Sequence, residues 1–325
     1  MLRKKTFFAI LLAIAVVCSC SYGPAEAANP FKRNIEVVVG FSAGGGSDIC
    51  ARMFSTIIND EKYLPVRLNV INKPGANSGV AINYVGGKQK DPHYLLFITP
   101  GFVSTPLQTN SPINYTKFTP IAIFGFDDWF FVVKEGGDYK TFEDLVKAAK
   151  ANPGKIRFGG PGAGGITQIC LAEMADTVGI DVAYVPFLGG ADIMTAILGG
   201  HIEAGVLNVS EVSSFIEAKQ LHALATPGEK RISRFSHVPT LTELGYNFTM
   251  AMPRGVVAAG DISKEAVDAY ADAFKKMSEH PKWKQDYCEK YQFGANFKGP
   301  KEALALIEEM DRVFKVNMKK LGILK

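Results

Sequence analysis

Two stretches of this chain repeat one arrangement: an apolar strand-like run, a glycine-rich turn and an amphipathic helix pattern. The first leads from Ile35 to Val39 into Gly44-Gly45-Gly46-Ser47-Asp48-Ile49-Cys50. The second leads from Ile156 to Phe158 into Gly162-Ala163-Gly164-Gly165-Ile166-Thr167-Gln168-Ile169-Cys170. Strands that feed helices through tight turns belong to α/β architectures, because each helix needs a sheet face to cover. Two such half-units predict two domains with the glycine turns facing each other.

The alternation continues through strands read at Val66 to Val70, Tyr94 to Ile98, Phe130 to Val133, Val182 to Val185, Glu203 to Leu207 and Leu221 to Ala225. Thr141-x-x-Asp144 reads as a capping box that opens a helix. The last third carries a helix after Ser263 (Val267, Ala271, Phe274) and a long one with the stripe Ala303, Ile307, Met310, Phe314, Met318 and Leu321. These helices and the first glycine unit need the same sheet, so the expected domains are discontinuous. Residues 28–128 plus 226–325 form one, and residues 129–225 the other. Hinges then fall near Asp127-Asp128 and Thr226-Pro227-Gly228.

With 325 residues, 47% hydrophobic and 21% charged, the chain has ordinary globular usage, which excludes disorder, collagen and coiled coil. The formal charge of +4 is spread thinly, and part of it sits in Arg3, Lys4 and Lys5, so no nucleic acid is expected as a partner. The only close cysteine pair is Cys18 and Cys20, and His-Glu-x-x-His is absent; no metal and no cofactor are expected. Residues 1–27 have a charged start, an apolar run from Phe7 to Val17 and Ala25-Glu26-Ala27, the order of a secretory signal peptide cut after Ala27. The apolar run is shorter than the roughly 20 residues a membrane span needs. A lipid anchor at Cys20 is the second processing route. Either route places the mature chain in the periplasm, with Cys50, Cys170 and Cys288 left as buried filler or, for the two at helix starts, acidified thiols.

A glycine turn at a helix N-terminus offers unpaired N–H groups and a partial positive charge, and so holds an anion. The P-loop pattern is absent. Gly160, Gly162 and Gly165 fit a dinucleotide fingerprint, but the next strand ends in Pro186-Phe187-Leu188 with no acid for a ribose. A carboxylate fits best, met by Phe41, Ser42, Gly45, Gly46, Ser47 and Asp48 in the first turn and by Gly162, Ala163, Gly164, Gly165 and Thr167 in the second. Asp48 also suits a capping role with Arg52 four residues on. Thr99, Asn208 and Arg254 stand at strand ends as further polar contacts, and Phe41 and Phe187 as apolar walls. Arg254 either takes a second ligand carboxylate or lies on the surface in a Pro253-Arg254-Gly255 turn. Gly40-x-Ser42-x-Gly44 fits a nucleophile elbow, yet few residues precede it, and His93, His201, His222, His237 and His280 lack a supporting signature. The main expectation is binding without catalysis; a secreted serine hydrolase is the alternative.

The ordered set Val37 to Arg52, Asn72-Lys73-Pro74-Gly75-Ala76-Asn77, Tyr184-Val185-Pro186-Phe187 with Gly189-Gly190, Leu224-Ala225, and Val238-Pro239-Thr240-Leu241 with Glu243-Leu244-Gly245 resembles the extracytoplasmic solute receptors of tripartite tricarboxylate transporters. The resemblance runs over nearly the whole chain after the leader. It implies a two-domain Venus-flytrap periplasmic binding protein, a monomer that holds a small organic carboxylate between the glycine turns and delivers it to membrane permease subunits. A sensory receptor of the same fold is the other role it leaves open. Departures are Gly165 and Gln168 where the family commonly carries Ser and His, Phe187-Leu188 in place of Tyr-Lys, and Ala259-Gly260-Asp261 in place of a Pro-rich stretch. The relatives' ligand therefore does not carry over.

Overall fold

The computed structural model describes residues 29–324 apart from Ser42, Gly45, Gly162, Leu188 and Ala251. The leader, Cys20 and three of the candidate contacts, Ser42, Gly45 and Gly162, thus lie outside the described residues. Six strands form the first sheet: β1 (Ile35–Val39), β2 (Leu68–Asn72), β3 (Tyr94–Ile98), β4 (Phe118–Asp127), β10 (Met252–Ala259) and β11 (Gly294–Lys298), in the spatial order β11-β4-β10-β3-β1-β2. The second holds β5 (Trp129–Lys134), β6 (Arg157–Pro161), β7 (Ala183–Phe187), β8 (Ala204–Asn208) and β9 (Leu221–Ala225), in the order β7-β6-β8-β5-β9. β1 runs parallel to β2 and β3, and β6 runs parallel to β7 and β8, while β10, β11 and β5 pair antiparallel with their neighbours.

Alternating side chains decide which face each strand residue serves. In the first sheet Val37, Val39, Leu95 and Phe97 join Phe54 of α1 (Gly46–Asp60) and Phe274 of α8 (Lys264–Glu279). Val38, Leu96 and Ile98 meet α2 (Gly79–Gly86), α3 (Gly101–Thr109) and α9 (Pro300–Lys320) on the other face. The second sheet repeats the plan. Trp129, Phe131 and Phe158 pack on α4 (Phe142–Ala151) and α5 (Ile166–Val178), while Phe130, Val132 and Leu207 pack on α6 (Gly190–Leu198) and α7 (Val209–Glu217). With both faces covered, the strands read as near-continuous apolar runs, which is why β1, β3 and β9 are visible in the sequence. The capping box also forms: Asp144 N–H donates to Thr141 Oγ1 at 3.1 Å and Thr141 N–H to Asp144 Oδ2 at 3.0 Å.

The chain passes from the first sheet to the second at Asp127–Trp129 and returns at Met250–Met252. Residues 232–248, expected with the first domain, place their apolar side chains on the second sheet instead. Ile232, Phe235 and Val238 join Phe130, and Leu241 and Phe248 join Trp129. The reason is coverage: β9 is an edge strand, and this segment extends its edge through the Thr226–Thr240 bridge. The return crossing accordingly lies at Met250 rather than at Thr226–Gly228. Among the described residues no helix is long and apolar enough to cross a membrane.

At the first crossing, burial pushes the Asp128 carboxyl up to about 6, with the charges of Asp127 and Glu229 adding to the effect. An acid whose native pKa exceeds its unfolded value of about 3.9 binds protons better when folded. Ionised Asp128 therefore opposes folding above pH 6, and that penalty fades as pH falls toward 4. Asp128→Asn is expected to stabilise the protein by about 2 kcal/mol at pH 8 and by only a few tenths at pH 4 in urea titrations; an equal gain at both pH values would contradict the account. In the first core, Phe54 is fully buried against Phe97, Phe124 and Phe274. Phe54→Ala should lose about 3–5 kcal/mol, whereas Val316→Ala on the open face of α9 should stay within about 0.5 kcal/mol.

Candidate functional site

The two glycine turns share one construction at a constant offset of 120 residues: Gly44, Ser47, Asp48 and Cys50 correspond to Gly164, Thr167, Gln168 and Cys170. Gly44 has φ +81° and Gly164 φ +68°, a region that costs any residue with a Cβ. In each turn the side chain four residues on holds this glycine. Gly44 N–H donates to Asp48 Oδ2 at 2.8 Å, and Gly164 N–H donates to Gln168 Oε1 at 2.7 Å. The latch is thus anionic in the first turn and neutral in the second. Both turns sit where parallel strands end and helices begin, the edge at which open α/β sheets take ligands.

Asp48 is 2% exposed and spends its oxygens inside the turn. Oδ2 also accepts from Arg52 Nε at 2.9 Å and Oδ1 from Asn72 Nδ2 at 3.0 Å; the same amide donates to the Phe41 carbonyl at 3.0 Å. Burial alone would raise this carboxyl, but the hydrogen bonds from Arg52, Gly44 and Asn72 win and hold it below the usual carboxylate range. Asp48 therefore shapes the turn, and Phe41 packs partly into the first core beside it.

Arg254 is 4% exposed on β10, so it is no surface residue. Its Nε and Nη2 both donate to Asp127 Oδ2, and Nη1 donates to Ser47 Oγ at 3.2 Å. Burial works against the charged guanidinium, and the Asp127 carboxylate more than offsets it. This differs from a guanidinium free for a ligand carboxylate: a buried cation requires an internal partner, which β4 supplies. Arg254 reaches the turn through Ser47 and lies close behind Gly46.

In the second turn Thr167 is 4% exposed, with Oγ1 at 3.1 Å from the Tyr184 hydroxyl. The Gly164 carbonyl accepts from Gln108 Nε2 of α3, which belongs to the first sheet's helices. Gly164 is thus held on its N–H by Gln168 and on its carbonyl, part of the next peptide group, by Gln108. Lys320 of α9 lies 3.5 Å from Glu173 of α5 and adds a second bridge. Ala163 is exposed, and Gly165 takes an extended conformation as the residue before α5. Thr99, buried, follows the last residue of β3 just before α3. Phe187 ends β7 and packs against the α6 side of the second sheet. Asn208 ends β8, where its Oδ1 accepts from Trp129 Nε1 at 2.6 Å, which leaves Nδ2 as the donor end.

Gln108, Trp129 and Glu211 are not among the sequence candidates, and Asp127 and Tyr184 stand there only as a hinge residue and as part of a motif. Only Glu211 carried a legible signal, as the third helical residue of an Asn208-x-x-Glu211 capping pattern. Residues Gly75 to Ser78 all have positive φ, from +47° to +129°, a strained run beside α3 where Asn77 O accepts from Thr105 Oγ1 at 2.8 Å. Cys50, Cys170 and Cys288 are free and buried; burial pushes each thiol up, Cys50 and Cys288 to about 12, which leaves them inert. His93, His222 and His280 engage Asp91, Glu135 and Glu61, none of them in the first turn. A cavity of about 840 Å³ lies beside the crossing strands, lined among others by Pro100, Phe126, Asp128, Ile166, Met250 and Pro253. Strand alternation sets Phe126, Asp128 and Pro253 on the face opposite Asp127 and Arg254.

A family profile described as "Tripartite tricarboxylate transporter family receptor" matches residues 57–320. The "UPF0065 protein in gbd 5'region" of Cupriavidus necator is 30% identical over 307 residues, covering 93% of this chain and 92% of that protein. Among solved structures, a TctC solute binding protein from Polaromonas without ligand superposes with a TM-score of 0.76 at 27% identity, over 89% of this chain and 99% of that one. R. palustris Rpa4515 with adipate reaches a TM-score of 0.77 at 20% identity, over 90% and 98%. The profile match, the relative and the fold agree: this chain belongs to the tripartite tricarboxylate transporter receptor family.

Proposed function

We propose that this chain captures a small organic carboxylate in the periplasm, between the turn at Phe41–Asp48 and the turn at Ala163–Thr167, and delivers it to the permease of a tripartite transporter. The observation that carries the reading is the matched pair of glycine turns, each latched by its own helix and each set at a helix N-terminus. Their free N–H groups suit a carboxylate oxygen, with the Ser47 and Thr167 hydroxyls as side-chain donors. The adipate held by a protein of the same fold supports the ligand class. Capture is non-catalytic in this reading. The oxygens of Asp48 shape the turn, and no histidine partner named above reaches it. The receptor acts as a monomer with two units, one on each sheet, and the segment up to Met250 travels with the second.

Binding should appear as ligand-dependent stability. At a hundred times its dissociation constant a specific acid adds about 2.7 kcal/mol, read as a rise in melting temperature across a panel of mono-, di- and tricarboxylates. Ser47→Ala and Thr167→Val should each weaken that acid by about 1–2 kcal/mol without loss of the fold. A panel in which no acid moves the melting temperature would sink the proposal. The Gln108 bridge makes closure measurable too: small-angle scattering should show compaction with ligand, and Gln108→Ala should keep the loaded protein more open. Identical profiles for wild type and variant at saturation would remove Gln108 from the closing contact.

A further inference from the structure

The charges around the turns do not balance for a polyanionic ligand. Asp48 is matched by Arg52, and Arg254 is consumed by Asp127. Glu211, at the start of α7, has no salt-bridge partner among the described residues. Its only hydrogen bond among the described residues is a long one of 3.4 Å from Asn208 N–H. The Glu211 carboxylate lies against Gly190 at the start of α6, with Oε2 only 2.9 Å from where a Cβ on Gly190 would stand. It is therefore fixed at the carboxyl ends of β7 and β8, the edge of the second sheet that takes the ligand. Burial pushes its carboxyl up most, the Asn208 N–H and the charge of Arg254 pull it down, and the charge of Asp127 adds to the rise. The side chain is open to solvent, yet surrounding protein holds its carboxyl above the usual range, as in a concave site.

On the reading that the glycine turns hold a carboxylate, we infer that the ligand is a zwitterion, a small carboxylate with a protonated amine that the Glu211 carboxylate receives. The turns and the Asn208 amide supply donors for the acid end. Glu211 supplies a charged acceptor with no salt-bridge partner among the described residues. A di- or tricarboxylate would bring two or more negative charges to turns whose neighbouring guanidiniums, Arg52 and Arg254, are already paired, beside a like charge that repels it. An amino acid type of ligand brings one charge of each sign to where its complement stands.

The test uses matched pairs that differ by the amine alone, 4-aminobutyrate against butyrate and glutamate against glutarate, with affinities from calorimetry on the full mature protein. The amine-bearing member should bind at least about tenfold more tightly in one or both pairs, which corresponds to about 1.4 kcal/mol. Glu211→Gln retains the capping group for Asn208 N–H and removes only the charge. It should weaken the amine-bearing ligand about 30-fold, the lower end of what truncating one partner of a buried charge pair costs, while the amine-free acid binds as well or better. Preference for butyrate or glutarate in wild type, or an amine preference that survives Glu211→Gln, would overturn the inference. If glutarate binds and is lost in Ser47→Ala with Thr167→Val while the amine pairs show no preference, the carboxylate site stands and only the zwitterion falls. If no member of either pair binds, both readings fall together.

Discussion

The buried pair of Arg254 and Asp127 holds the architecture at its narrowest place. Asp127 is the last residue of β4 before the chain leaves the first sheet, and Arg254 stands near the start of β10 just after the chain returns. Their contact ties the two crossings together at one end. Through Nη1 it also supports Ser47, so the root of the crossings and the first turn form one mechanical piece. Such a pair need not add net stability, because two charges are taken out of water to make it. What it does is forbid alternatives: with either partner absent, the other charge is stranded in the interior at about 3–5 kcal/mol.

The surroundings of the pair follow from that constraint. Cys50 of α1 and Tyr287 of the segment that precedes β11 are buried near it, and the charges of the pair act on both side chains. Among the described residues no cation contacts the second turn as Arg254 contacts the first. There Tyr184 stands at hydrogen-bond distance from Thr167 in place of an Arg–Ser contact, and burial keeps its hydroxyl protonated. The two turns share backbone geometry but rest on supports of different charge.

Much of this was legible because parallel strands buried on both faces cannot hide. Ile35–Val39, Tyr94–Ile98 and Leu221–Ala225 appear in the sequence with their observed bounds, and the glycine turns announce themselves by composition. β4 did not, since Pro120 and Gly125 interrupt it and irregular pairing with β10 absorbs them. The placement of residues 232–248 was not legible either, because which sheet an apolar segment covers depends on an edge strand distant in sequence. Gln108 and Glu211 illustrate the same limit at the site. A glutamine on a helix looks like solvent-facing polarity until a carbonyl from another sheet meets it. A glutamate in a capping pattern looks spent until its helix cap proves to be one long contact.

The hold on Gly164 from both sides bears on timing. Its N–H is fastened by Gln168 within the same turn, whereas its carbonyl is fastened only from the opposite sheet. Separation of the sheets would release the second contact and leave the first, so the cradle keeps its shape in the open receptor. In the proposed binding mode a ligand then meets a prepared surface, and little ordering delays its arrival. Its departure waits on the release of Gln108 together with the Lys320–Glu173 contact, so in this arrangement residence time is governed by contacts that never touch the ligand.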